Sequence, residues 1–105
     1  MSEDSSTIYA KLLGETASIS WKELEPFFAR GALLRVDSGF DLIEAAQAVA
    51  QNDQEQVAAW LADGRLGKLE TEQAQDWVGR NPSLWAVVVA PWVLVQERPA
   101  KAGLH

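Results

Sequence analysis

The stretch that decides the fold is Leu84–Gln96, LWAVVVAPWVLVQ, a β-branched and aromatic run whose one polar residue is Gln96. A run of this composition is typical of a strand that is buried on both faces. Pro91 interrupts the run, and a proline cannot donate a hydrogen bond to a sheet ladder. The sequence therefore predicts either two strand segments or one strand that bends at a bulge or at an edge.

A shorter strand and several helices precede this run. The branched segment Leu33–Val36 leads into an Asp-Ser-Gly turn and predicts a strand. Apolar residues at helical spacing, bounded by capping residues and glycines, predict helices at residues 7–13, 20–30, 41–50, 53–62 and 71–78. We therefore predict an α+β fold in which four or five short helices pack on a small sheet of two or three strands, built from Leu33–Val36 and Leu84–Gln96.

Helix starts carry the most local signals. Ser20 and Glu23 have the S-x-x-E spacing in which each side chain satisfies a free backbone N–H at a helix start. Asp41 and Glu44 repeat this spacing with two carboxylates, and Asp53 precedes the next helix in the same way. We expect these residues to be helix caps, and we expect Thr71 to cap the last helix.

Length and composition indicate one domain. The 105 residues are 48% hydrophobic and 23% charged and include no cysteine, which suits a packed domain without disulfides or thiolate zinc sites. We expect residues 7–96 to form this domain, residues 1–6 a disordered N-terminus and residues 97–105 a flexible C-terminal tail. The acidic start lacks the features of a secretory signal, and no apolar stretch reaches the roughly 20 residues of a spanning helix. We therefore expect a cytoplasmic location and no membrane contact.

Net charge and strand pairing restrict the partners. The net charge is −6, and phosphate repels such a chain unless its bases cluster, so nucleic acid is disfavoured. The long C-terminal strand has only Leu33–Val36 as an obvious partner, and an unpaired strand edge invites a second chain. The sequence therefore predicts a homodimer formed through the C-terminal strand, which contains Trp92.

Four motifs in order resemble those of a known family. They are W-x-x-L-x-P-x-x-x-R-G-A-L at residues 21–33, V-D-x-x-x-D-L at 36–42, W-L-x-x-G-x-L-G-K at 60–68 and V-V-V-x-P-W-V-L-V-Q-E at 87–97. The sequence is similar in these motifs to a family of small bacterial proteins known only as a domain of unknown function. The resemblance implies a cytoplasmic bacterial module, and it implies no activity, cofactor or catalytic residue.

The corner Gly64–Lys68, GRLGK, permits three interpretations. Its G-x-x-G pattern resembles the loop that KH domains close over a nucleic-acid backbone. The preceding helix and turn also resemble those of small excisionase-like winged-helix domains, although the exposed positions there carry few bases. The third interpretation is a glycine helix stop beside which Arg65 and Lys68 are solvated.

Candidates for metal binding and catalysis are few. Asp37, Asp41 and Glu44 lie between a strand end and a helix start and offer oxygen ligands for Mg²⁺ or Ca²⁺, although turn and cap chemistry explains them equally. The one histidine, His105, is the last residue, and there is no cysteine nucleophile. We therefore predict no catalytic residue and no cofactor, with a metal-dependent enzyme at the three carboxylates as a second alternative.

Tryptophans offer anchors for a protein partner. Four of the five lie in apolar helix stripes or strand runs and are expected in the core, whereas Trp21 follows a helix cap and suits either the core or an interface. The sequence thus favours a non-enzymatic protein-interaction module that self-associates, with contacts at Trp21, Arg65, Lys68 and Trp92. The alternative is nucleic-acid binding through Gly64–Lys68.

Overall fold

Short helices and short strands are interspersed along the chain. The computed structural model describes residues 5–98, which form five helices and five strands. The helices are α1 (Ser5–Glu15), α2 (Trp21–Ala29), α3 (Leu42–Ala50), α4 (Gln54–Asp63) and α5 (Thr71–Arg80), and the strands are β1 (Ala17–Ile19), β2 (Leu33–Val36), β3 (Leu66–Lys68), β4 (Ser83–Val89) and β5 (Trp92–Arg98). Each predicted helix is present, and the predicted α+β class is confirmed.

The apolar run at the end of the sequence forms a hairpin. Strands β4 and β5 pair antiparallel from Ser83 opposite Arg98 to Val89 opposite Trp92. The cis Ala90–Pro91 peptide lies in the turn between them. The run therefore forms two strand segments, which is one of the two structures predicted for it.

The sheet is larger than predicted. Its strand order is β1-β4-β5-β2-β3, with β5 and β2 parallel and the other neighbours antiparallel. The prediction of two or three strands is wrong because β1 and β3 have three residues each, fewer than the run of about four from which alternation is detected. Strand β5 has neighbours along both of its edges, so a homodimer formed through an unpaired C-terminal strand loses its physical basis.

Capping side chains begin three of the helices, as predicted. Ser20 Oγ accepts from the N–H of Glu23 at 3.3 Å. Asp41 Oδ1 accepts from the N–H groups of Ile43 and Glu44, and Asp53 Oδ1 accepts from that of Gln56. These contacts satisfy backbone donors that have no partner within the first turn of a helix.

Some boundaries differ from the predicted ones. Helix α1 continues past Gly14, because a glycine within a helix costs only about 1 kcal/mol and the packing of α1 on its neighbours outweighs this cost. Helix α5 is capped one residue earlier than expected, where the Glu70 N–H donates to Gln73 Oε1 at 3.1 Å. Ser5 and Ser6 are helical, and residues 97 and 98 extend β5. The rest of the expected loose ends, residues 1–4 and 99–105, lies outside the described residues, as does His105.

Side chains pack on both faces of the sheet. On the first face, α1, α3 and α4 cover a first cluster formed by Leu12, Leu34, Val36, Leu42, Ile43, Ala45, Ala46, Ala48, Trp60, Leu66, Val87 and Leu94. On the second face, α2 and α5 cover a second cluster formed by Leu24, Leu33, Leu69, Ala74, Trp77, Leu84, Ala86, Val93 and Val95. Alternate residues of β5 enter opposite clusters, as the period of a strand requires.

Candidate functional site

An apolar groove opens on the first face, between α4 and the turn that joins β4 to β5. Its volume is about 540 Å³, and the residues that line it are Leu34, Val49, Asn52, Asp53, Gln54, Val57, Ala58, Leu61, Leu66, Lys68, Ala90, Pro91 and Trp92. Leu61 is 49% exposed at the rim, and Trp92 is half-buried. A groove of this size with a mostly apolar lining is typical of a ligand site.

Only a few polar groups border this groove. The carboxylate of Asp53 turns toward its own helix and accepts from the N–H of Gln56 at 3.2 Å. The ammonium of Lys68 lies 5.9 Å from the centre of the Trp92 ring, which is cation–π range. Within residues 5–98 no carboxylate forms an ion pair with Lys68. The groove therefore presents one cation beside apolar surface.

The corner after α4 is a helix stop followed by a strand. Gly64 has a φ of +88° and ends α4 in the left-handed conformation that favours glycine. Leu66–Lys68 is paired with β2, and Arg65 lies 3.4 Å from Asp63 and over the Phe40 ring. The prediction of a helix stop is confirmed. Neither nucleic-acid hypothesis finds a free basic loop here, because the second half of the corner belongs to the sheet.

Two of the three carboxylates considered as metal ligands, Asp37 and Asp41, bond the backbone. Asp37 Oδ2 accepts from the N–H of Gly39 at 3.1 Å, and Asp41 caps α3 through Oδ1. The second oxygen of Asp41 accepts from the Tyr9 hydroxyl at 2.8 Å, and this bond raises the pKa of Tyr9. Among the described residues, Glu44 and its neighbours form no group of three ligands that could hold a metal ion. The contacts are those of a turn and a helix cap.

The residues predicted for protein contacts do not form one surface. Trp21 is half-buried in the second cluster, where its ring lies 5.6 Å from Phe28 and 6.2 Å from Trp77. Lys68 and Trp92 lie on the first face, at the groove. The structure therefore brings Lys68 and Trp92 together and assigns Trp21 to the packing of the opposite face.

A second, polar cleft lies at the other end of the sheet. It has a volume of about 220 Å³ and is lined by Arg35, Val36, Asp37, Ser38, Gln73, Asp76, Trp77 and Glu97. Beside it, Arg80 donates to both oxygens of Asp76 and both oxygens of Glu97, and Trp77 Nε1 donates to Glu97 at 3.2 Å. The hydrogen bonds from Arg80 lower the pKa of Asp76 and of Glu97. Both carboxylates are therefore held in the charged form by structural partners.

The chain matches a protein family and is similar to a solved structure. The family model described as "Protein of unknown function (DUF2288)" matches residues 7–97. The chain belongs to the DUF2288 family. It is also similar to the NMR solution structure of PA1075 from Pseudomonas aeruginosa, with 63% sequence identity, coverage of 100% of this chain and 97% of that chain, and a TM-score of 0.80. No curated protein matches the chain. The family resemblance expected from the four motifs is confirmed.

Sequence reasoning missed the groove of this DUF2288 protein. Its apolar wall on α4 was visible as the stripe of Val57, Trp60 and Leu61. Trp60 turns into the first cluster, where its ring lies 4.7 Å from that of Phe40, whereas Leu61 remains outside. No signal in the sequence shows that the turn at Pro91 lies across from these residues. Within residues 5–98 of this DUF2288 chain, no helix is both long enough and apolar enough to cross a bilayer.

Proposed function

We propose that this protein is a non-enzymatic module that acts through protein contacts, and that its first partner is a second copy of the same chain. The observation that carries the proposal is the uncovered, uncharged outer edge of β1. We also propose that the protein is cytoplasmic.

The two edges of the sheet differ in accessibility. At one edge, β3 carries a cation at Lys68, and Leu66 is only 1% exposed, backbone included. At the other edge, Ala17 and Ser18 are exposed, and the segment Thr16–Ser20 contains no charge. Charges and coverage are the usual protection of a sheet edge against pairing with another chain. Among residues 5–98, nothing gives the β1 edge either protection.

The hydrogen-bond pattern identifies the groups that β1 offers. Val89 and Trp92 flank a two-residue turn and therefore form a hydrogen-bonded pair, and such pairs alternate along an antiparallel ladder. Strand β4 consequently bonds β5 through its odd-numbered residues and β1 through Leu84 and Ala86. Their partners on β1 are Ile19 and Ala17. The N–H and C=O of Ser18 point away from the sheet.

A two-fold axis at Ser18 satisfies these groups. In an antiparallel pair of β1 strands, Ser18 of each copy donates its N–H to the Ser18 carbonyl of the other, which is the self-complementary contact of a symmetric dimer. The two copies place no like charges opposite each other within residues 16–20. Leu13, 55% exposed in the helix before β1, and Val88, 61% exposed just past the Ala17 end of β1, supply apolar surface near that end of the strand. These features support a second copy as the occupant of this edge.

Sedimentation equilibrium of the full chain over a range of concentrations tests the proposal. Because the paired strands are short and interfaces below about 1,200 Å² are usually weak, we expect a reversible dimer with a micromolar dissociation constant. Ser18→Pro removes the outward N–H without removing a ladder bond to β4, and it should leave a monomer. Ser18→Ala keeps the N–H and should dimerise like the wild type.

Circular dichroism of each variant shows whether it is folded. A wild-type protein that stays monomeric at millimolar concentration contradicts the proposal. A folded Ser18→Pro variant that dimerises as tightly as Ser18→Ala contradicts the assignment to β1. Val88→Lys is the second probe, since it adds a charge beside the same edge without changing the backbone, and it should weaken the dimer.

A further inference from the structure

We propose that the groove between α4 and the β4–β5 turn binds a small apolar molecule that carries one carboxylate, which pairs with Lys68. The groove lies beside β3, at the opposite edge of the sheet from β1. The ligand site and the self-association edge are therefore separate surfaces, and each proposal is tested without the other.

The lining of the groove selects an apolar body. Leu34 and Leu66 form its floor on the sheet, Val57 and Leu61 form the wall on α4, and Trp92 forms the opposite wall. A volume of about 540 Å³ falls within the roughly 300 to 1,000 Å³ of small-molecule sites. Exposed Leu61 and half-buried Trp92 leave this apolar surface in contact with water. A ligand that removes it from water is stabilised by the hydrophobic effect.

The charge at the mouth selects one anionic group. Lys68 is exposed and belongs to no ion pair in the part of the chain that the structure describes. The one acid in the lining, Asp53, is turned toward the N-terminus of α4. An unpaired ammonium in a protein with a net charge of −6 is a local feature rather than part of a basic surface. It complements a single carboxylate.

Other ligand classes fit this groove less well. A nucleic-acid backbone needs several cations in a row, whereas the lining contains one, Lys68. A neutral apolar ligand leaves the ammonium of Lys68 without an anionic partner. An apolar amine places a second positive charge beside the ammonium of Lys68, and two neighbouring charges of the same sign repel each other. A monocarboxylic acid satisfies both the apolar walls and the cation.

Amide-resolved NMR of the full chain, titrated with octanoate and with phenylpropionate, tests this inference. We expect saturable shifts at Leu34, at Leu66 and at the indole N–H of Trp92, with at least one of the two acids. Octylamine, which has the same chain and the opposite charge, should bind more weakly. Lys68→Gln should weaken binding of the acid by about threefold to fivefold, the size of one exposed charge pair.

Lys22→Gln is the matched control. It removes an equivalent exposed lysine from α2, on the opposite face of the sheet, and should leave the affinity unchanged. Leu61→Glu is a second variant that places a carboxylate at the rim, and it should abolish the shifts while the spectrum of the free protein stays folded. Shifts that do not saturate with either acid overturn the proposal. Saturable binding with equal affinity in the wild type and Lys68→Gln overturns the role of Lys68 and with it the assignment to carboxylates.

Discussion

The two faces of the sheet are held by different means. On the first face, α3 packs against β4 and β5, and its Ala45 and Ala46 are 0% exposed. On the second face, α5 presents Trp77, whose ring packs edge-on against Trp21 and whose N–H bonds Glu97. The first face therefore includes fully buried alanines of a helix, whereas the second includes a polar link from a buried ring.

This difference shows where each face is vulnerable. Because protein interiors are close-packed, the fully buried alanines of α3 leave no room for a larger side chain. The second face responds in addition to the charge state of Glu97, which accepts from Trp77 and Arg80. Shape should therefore limit the alanine positions of the first face, and the charge state of Glu97 should affect the second face.

Ala46→Leu should have the largest effect of the substitutions that separate the faces. The added atoms at a 0% exposed position must displace α3 from the elements on which it packs, and overpacking of this kind costs about 2 to 3 kcal/mol. Urea unfolding followed by tryptophan fluorescence measures the loss. Ala50→Leu, at the exposed end of the same helix, is the control and should change the free energy of unfolding by less than about 0.5 kcal/mol. Equal stability of the two variants would refute close packing as the basis of the first face.

Trp77→Phe should have a smaller effect. The substitution keeps an aromatic ring in the second cluster but removes the N–H that donates to Glu97 at 3.2 Å. The lost hydrogen bond and the smaller ring together should cost about 1 to 2 kcal/mol. A double-mutant cycle with Glu97→Ala isolates the hydrogen bond, since the two substitutions should then be coupled by about 1 kcal/mol. A coupling energy of zero would show that Trp77 acts through packing alone.

Much of this fold was predictable because its signals are local. Ser20, Asp41 and Asp53 begin helices through contacts within three residues, and Gly64 ends one through its own backbone conformation. The strand character of the apolar run around Pro91 was also predictable from composition, although the pairing of its two halves was not. Each of these signals depends on neighbours in sequence, and the tertiary structure does not override it.

Edge strands and the candidate site were not predictable, because they depend on distant neighbours. Strands β1 and β3 are short, and β1 contains no large apolar residue besides Ile19, so pairing with β4 and β2 rather than local preference makes them strands. The groove exists because Leu61 on α4 comes to lie opposite Trp92 after the β4–β5 turn. Sequence reasoning selected Lys68 and Trp92 separately, and only the order of the strands brings them together.

The smallest expected effect is the pH dependence of the second face. Arg80 hydrogen-bonds Asp76 and Glu97 and thereby lowers the pKa of each. A carboxyl group whose pKa is lower in the folded state binds protons more weakly there than in the unfolded chain. Its stabilising contribution is therefore complete above the unfolded pKa of about 4 and is lost as the pH falls through the lower, folded value. Exposed pairs of this kind contribute little, because solvent screens them.

Arg80→Gln should accordingly be less stable than the wild type at neutral pH, and the difference should shrink toward zero as the pH falls from about 5 to below the folded pKa values. Urea unfolding of both proteins at a series of pH values measures this difference in the free energy of unfolding. Carboxylates that do not contact Arg80 contribute equally to both proteins, so their contributions cancel in the difference. Arg30→Gln is the control, since Arg30 stacks on Phe27 and has no carboxylate partner within residues 5–98. The difference in the free energy of unfolding between this variant and the wild type should not shrink as the pH falls.

Because Ala46 lies on the other face, Ala46→Leu should destabilise the protein equally at every pH. If that loss also fell with pH, the two faces would be coupled rather than held by separate means.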